Sequence, residues 1–181
     1  MKTRLLILVL ALQCAWLLGT ALVQERALRE GTVIRLETRP VDPRDLLRGD
    51  YVILNYRIGT IPTNLFSPPA DHLTYGQTVW VALAPQGEFH EATRASVERF
   101  APAEGEILVR GRIRWWSGMR DTGREVGAEY GLERYYVREG TGEPQGKLTV
   151  QAIVPASGRA RLKQVFLDGV PYAEAMKGNA R

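Results

Sequence analysis

Between Leu5 and Val23 no charged side chain interrupts the chain. An α-helix of about 20 apolar residues is long enough to cross the hydrocarbon core of a bilayer, where every backbone polar group must be satisfied within the segment. Lys2 and Arg4 precede this run. Basic flanks favour the cytoplasmic side, so the chain from about Gln24 onward is expected outside the cytoplasm. The reading divides the protein into a cytoplasmic N-terminus (1–4), a transmembrane anchor (5–23), a charged linker (24–31) able to extend the helix until Gly31, and a domain over 32–181. The competing reading is a cleavable signal peptide with Gly19-Thr20-Ala21 as its small-residue cleavage site. The continuation of the apolar run through Ala21-Leu22-Val23 favours the uncleaved anchor.

The sole cysteine, Cys14, lies inside that run, so no intramolecular disulfide can form. Leu12-Gln13 in front of it departs from a lipoprotein cleavage pattern, leaving Cys14 as a small hydrophobe in a membrane helix. Packing must therefore hold the domain, and 45% hydrophobic residues with 24% charged ones supply a core. The formal net charge of +4 comes from basic residues interspersed with acidic ones. No nucleic-acid motif accompanies them, so a solvated surface is expected and no nucleic-acid partner.

After Gly31 the pattern changes from helical to alternating. Thr32 to Thr38 alternates as an amphipathic strand. Asp42-Pro43-Arg44-Asp45 reads as a helical turn with Asp42 as its cap, Pro43 at the first helical position and Asp45 near the positive end of the dipole. Gly49 is suited to end that turn. A strand from Asp50 places Val52, Leu54, Tyr56 and Ile58 on one face and Tyr51, Ile53, Asn55 and Arg57 on the other. Leu54 and Tyr56 are thus expected in the core, and Tyr51 away from it. Further strands are expected at Thr78–Ala84, Glu88–Phe100 with a bend, Ile107–Trp115 and Tyr130–Val137. Lys147–Val154 and Arg159–Leu167 form a hairpin about Pro155-Ala156-Ser157-Gly158. Pro62–Pro69 reads as a surface loop, Asp168-Gly169 as a turn, and the tail from Met176 as frayed. Short strands punctuated by Gly and Pro, without long amphipathic helices between them, predict a mainly β fold, a small antiparallel barrel or sandwich preceded by one transmembrane helix.

Chemistry is sparsely signalled. His72 and His90 are the only histidines, and neither has metal-ligand spacing, so no metal or cofactor is expected. No serine sits in a nucleophile elbow and no glycine-rich loop cradles phosphate. Asp42, Asp45 and Asp50 among Arg44 and Arg48 build either an ion-paired turn or a polar cleft. Glu133 and Tyr135, placed on one strand face, allow either a site or a packing pair. Leu46–Leu54 is similar to the R-G-D-x-V strand of membrane-anchored signal peptidases, but no serine precedes Gly49 and Lys147 is the first lysine after it.

The string Gly49-Asp50-Tyr51-Val52-Ile53-Leu54-Asn55-Tyr56 resembles the signature of the bacterial GDYXXLXY family. The lead-in Arg35–Arg48, a second block Gly131-Leu132-Glu133-Arg134-Tyr135-Tyr136-Val137 and a closing strand Val165–Pro171 extend the resemblance over most of the chain after the anchor. Where family members carry a longer, helix-like insert after the second block, this chain has only Arg138–Gly146. The resemblance implies a single-pass protein of the bacterial inner membrane with a β-rich extracytoplasmic domain, no established activity, and a multi-pass inner-membrane protein as partner. The expected function is non-catalytic binding of such a partner, through a surface including Tyr51 and the Asp42–Asp50 turn. The alternatives are an envelope hydrolase using Asp42, Asp45, Asp50 or Glu133 as acid and base, and a small-ligand sensor in a barrel mouth.

Overall fold

The computed structural model describes residues 2–39, 51–69, 73–116, 125–137 and 146–176. The chain forms two compact units, Met1–Gly31 and Thr32–Arg181. The first is one helix, α1 (Lys2–Arg29). Within it Thr3–Arg26 is long and apolar enough to cross a membrane, with none of that window buried against protein. Leu5 to Val23 present their side chains outward on every side of the helix, which suits lipid as a solvent and not water.

The second unit is antiparallel β: β1 (Thr32–Glu37), β2 (Tyr51–Ile53), β3 (Thr60–Pro62), β4 (Thr78–Gln86), β5 (Phe89–Ser96), β6 (Ile107–Trp116), β7 (Glu125–Glu129), β8 (Arg134–Tyr136), β9 (Leu148–Val154), β10 (Arg161–Leu167) and β11 (Val170–Pro171), closed by the short α2 (Tyr172–Ala175). The strands make a four-stranded sheet in the order β1-β9-β10-β11, a five-stranded sheet β3-β7-β6-β4-β5, and a two-stranded ribbon β2-β8. Inward residues of both large sheets, among them Ile34, Leu36, Val150 and Val165 from one and Val79, Val81, Val109 and Val126 from the other, fill one apolar core. The expected mainly β architecture with an N-terminal apolar helix is the one observed.

Long-range pairing departs from local pattern in four places. Beyond Ile53 the signature strand gives way to a bridge at Tyr56 and a 3-10 turn over Arg57–Gly59, although Val52, Leu54, Tyr56 and Ile58 are all buried as the alternation requires. The expected Pro62–Pro69 loop holds more structure than its sequence suggests: Thr60–Pro62 is an edge strand on β7, and Phe66 is buried and bridges to Ala95. Glu125–Glu129, which carries no strand signal, is a strand because β3 and β6 flank it. Met176, expected to fray, is buried against the core.

The hairpin between β9 and β10 turns at Pro155–Gly158, where the Gly158 N–H donates to the Pro155 carbonyl at 2.8 Å. Gly158 adopts φ 75°, a left-handed conformation that strains any side chain. A Cβ there would also lie 2.7 Å from the Trp80 ring. The Arg110 N–H donates to the Gly158 carbonyl at 2.8 Å, fastening this turn to β6 of the other sheet.

Candidate functional site: the seam between the signature blocks

The two sequence blocks that resemble a family signature meet in space. β2 pairs with β8 in the register Tyr51↔Tyr136, Val52↔Tyr135 and Ile53↔Arg134. The pairing continues past the strand, where the Leu54 N–H donates to the Glu133 carbonyl at 2.8 Å. Two buried tyrosines then lock the segments reciprocally. The Tyr56 hydroxyl donates to the Leu132 carbonyl at 2.7 Å, and the Tyr130 hydroxyl donates to the Ile58 carbonyl at the same distance. Burial pushes both phenols far above their ordinary range, and the Glu133 charge adds to the rise. Each is therefore a neutral donor at any pH at which the fold exists, as a buried carbonyl requires.

The turn between Tyr130 and Glu133 explains the Gly131-Leu132-Glu133 sequence. Gly131 takes φ 80°, reversing the chain. Leu132 drops into the core, and the Glu133 carboxylate accepts the Tyr130 N–H at the mouth of the turn. Opposite this turn, Gly111 leaves room for the Tyr130 ring, since a Cβ would stand 3.1 Å from it.

Glu133 was expected to share a strand face with Tyr135. It precedes β8 instead, and its carboxylate is turned back onto its own loop. Tyr135 is half-buried and stacks edge-on against Tyr172, ring centroids 5.3 Å apart at 80°. The Tyr172 hydroxyl is buried without a hydrogen-bond partner among the described residues, and burial raises its pKa. Tyr56 is in the core as expected, 4% exposed. Tyr51 lies in β2, and its side chain is outside the described residues, as are Asp42, Arg44, Asp45, Gly49, Asp50 and His72. His90 sits half-buried in β5, its Nδ1 accepting the Arg35 N–H at 3.3 Å, and burial lowers its pKa. An acceptor nitrogen and a depressed pKa both describe a neutral imidazole.

Two clefts flank the seam. One, of about 430 Å³, is lined by Arg39, Asn55, Tyr56, Thr60, Arg114, Glu129 and Glu133. The other is an open groove of about 920 Å³ between β6, the 130–136 segment and the start of β10. Glu129 and Glu133 border both. Among the described residues no three His, Cys, Asp or Glu side chains gather as a metal site. Among the described residues the one strongly acidified carboxyl is Glu106, held down to about 2 by the Arg94 guanidinium and then by the Ala103 N–H, against the opposing effect of burial. It closes the β5–β6 connection and faces neither cleft.

Local pattern could have located the Tyr56 hydroxyl in the core but not its acceptor, which lies 76 positions away. The alternation over Tyr130–Val137 reads as strand from its first residue, which hides the part Tyr130 plays in the turn. The family described as GDYXXLXY protein matches residues 13–165. No curated protein and no solved structure matches the chain.

Proposed function

The chain belongs to the GDYXXLXY protein family, and from that premise we propose a membrane-anchored, non-catalytic interaction module. In this reading α1 holds the protein in the bacterial inner membrane with Lys2 and Arg4 in the cytoplasm. The β domain stands on the extracytoplasmic side and binds a multi-pass membrane protein. One observation supports the non-catalytic part: among the described residues, the Tyr56 hydroxyl and the Glu133 carboxylate are engaged within the fold. The Tyr56 hydroxyl serves the Leu132 carbonyl and the Glu133 carboxylate serves the Tyr130 N–H. A general acid or base must instead offer its proton site to a substrate.

The partner surface is proposed at Tyr51 and the Asp42–Asp50 turn, since aromatic residues are effective interface anchors. Cross-linking of the full-length chain in its native membrane, followed by capture, is expected to return the same multi-pass protein repeatedly. Tyr51→Ala is expected to lose it while keeping the wild-type melting temperature. Repeated capture without any membrane protein refutes the proposal. The rival hydrolase makes the opposite demand: Glu133→Gln or Asp50→Asn would abolish turnover of an envelope substrate in a protein that remains folded.

A further inference from the structure

Among the described residues, the groove of about 920 Å³ is bordered by Arg110, Arg112, Arg134, Arg159 and Arg161 and by the carboxylates Glu129 and Glu133. Arg112, Arg159 and Arg161 make no ion pair among the described residues. All three are exposed. They come from opposite sheets: Arg110 and Arg112 project from β6, where Val109, Gly111 and Ile113 face the core, and Arg159 and Arg161 follow the turn that β6 holds through Gly158. Arg110 is positioned by Thr78 Oγ1 at 3.3 Å and by the Trp80 ring.

The cluster lies beside the first residues of the domain. In β9, Ile153 pairs on one side with Val33 and on the other with Arg161. Neighbouring strands lie about 4.8 Å apart, which puts the Arg161 backbone roughly 10 Å from Val33, the second residue of the domain. Thr32 pairs with Val154, immediately before the turn that leads into Arg159. The arginines therefore stand at the end of the domain where the chain arrives from α1. Gln24 to Gly31 alone separate the apolar run from Thr32, and a helical course spans that interval in roughly 12 Å. This is comparable with the roughly 8–10 Å over which an anionic surface acts at physiological salt.

We propose that the groove binds the phosphate groups of anionic lipid headgroups in the leaflet from which α1 emerges. Guanidinium forks suit phosphate oxygens, and the short tether keeps that one anion at high effective concentration beside the groove. The exposed Tyr136 at the same border adds an amphipathic ring of the kind favoured at a bilayer interface. The domain would thus be seated on its own membrane, fixing which face it turns to a partner.

The inference rests on the membrane-anchored reading, and the experiment separates the two. The detergent-solubilised full-length chain is titrated with short-chain phosphatidylglycerol or phosphatidylcholine, and lipid adducts are counted by native mass spectrometry. Each basic side chain near an anionic surface contributes about fivefold, so Arg112→Gln/Arg159→Gln/Arg161→Gln should weaken phosphatidylglycerol binding on the order of a hundredfold. The matching triple Lys variant should retain most of it, both with wild-type melting temperatures. Equal binding of the two lipids, or an unchanged triple Gln variant, overturns the proposal. So does inorganic phosphate or a polyglutamate peptide competing as well as the lipid, which would assign the groove to a free anion or to an acidic protein segment. A full-length chain that fails to float with phosphatidylcholine vesicles refutes the anchored reading and the inference with it, whereas a chain that floats without a headgroup preference overturns the inference alone.

Discussion

Removing the Tyr56 hydroxyl is the sharpest test of what the signature does. Tyr56→Phe keeps the ring, its volume and its burial, and deletes one donor. The 2.7 Å hydrogen bond to the Leu132 carbonyl is lost, and that acceptor is left inside the protein beside a side chain only 2% exposed. A net hydrogen bond contributes about 1 kcal/mol, and stranding its buried partner costs roughly 1 kcal/mol more, so the expected loss is about 2 kcal/mol. For a β domain of this size that is a fall in Tm of roughly 4–8 °C. Tyr130→Phe removes the reciprocal bond to the Ile58 carbonyl and should cost about the same. The two bonds join the same pair of segments, so the double variant should lose less than the sum, with a coupling of about 0.5–1 kcal/mol. Tyr135→Phe is the internal control, because its hydroxyl makes no hydrogen bond among the described residues and the change should stay within about 0.5 kcal/mol. Near-UV circular dichroism of the full-length chain in detergent follows mainly the β domain, since α1 carries a single aromatic side chain, Trp16. If Tyr56→Phe melts with Tyr135→Phe, the hydroxyl lock contributes nothing and the structural account of the signature is wrong.

Gly158→Ala combines a positive φ with a Cβ placed 2.7 Å from the Trp80 ring and 3.2 Å from the Leu108 carbonyl. It should destabilise the domain by about 2–4 kcal/mol, and the same thermal melt measures it. Glu133→Ala uncaps the Tyr130 N–H and should cost about 1–2 kcal/mol, whereas Glu133→Gln, whose amide oxygen still accepts, should recover most of that. Equal losses in the two variants would contradict the capping role. Glu106 has a carboxyl held near 2, below its ordinary 4.5, by Arg94 first. A depressed folded-state pKa gives stability that is present above the unfolded value and is lost as pH falls toward the folded one. Wild type should therefore lose stability more steeply than Glu106→Gln between about pH 4.5 and 2, and parallel curves would contradict this.

What the sequence disclosed and what it withheld divide by the range of the forces involved. The helix at 5–23 is legible because its length and apolar composition alone suit it to a bilayer, with no partner to identify. The alternation at Val52, Leu54, Tyr56 and Ile58 is legible for the same reason: burial depends on which side a residue faces, even where the hydrogen-bond ladder stops after Ile53. β7 was hidden because Glu125-Val126-Gly127-Ala128-Glu129 has little intrinsic strand preference and is held by the ladders on either side. The turn at Gly131 was hidden in a run of aromatic residues that reads as continuous strand. A strand drawn through Gly131 misplaces Glu133, whose backbone belongs to the turn before β8.

That misplacement bears on function. A carboxylate on an exposed strand face is available for acid-base work, whereas one that accepts its own loop's N–H is committed before any substrate arrives. Neutralising Glu133 removes a hydrogen-bonded charge at the mouth of the turn and leaves the Tyr130 N–H with a weaker, neutral acceptor. The Tyr56 and Tyr130 hydroxyls tie the segment after β2 to the turn before β8, and the Glu133 carboxylate shapes that turn. Chemistry drawn from this seam would therefore compete with the fold for the same groups. Three of the arginines at the β6–β10 groove carry no such commitment among the described residues: Arg112, Arg159 and Arg161 stand on ordinary strand and turn backbone, and none is buried. A charge with no internal partner is stabilised by water in the free protein and is available to an external anion. The residues that identify this domain and the residues that act for it need not coincide. Substitutions in the seam should register in melting temperature, and substitutions in the groove in lipid binding with the melting temperature unchanged.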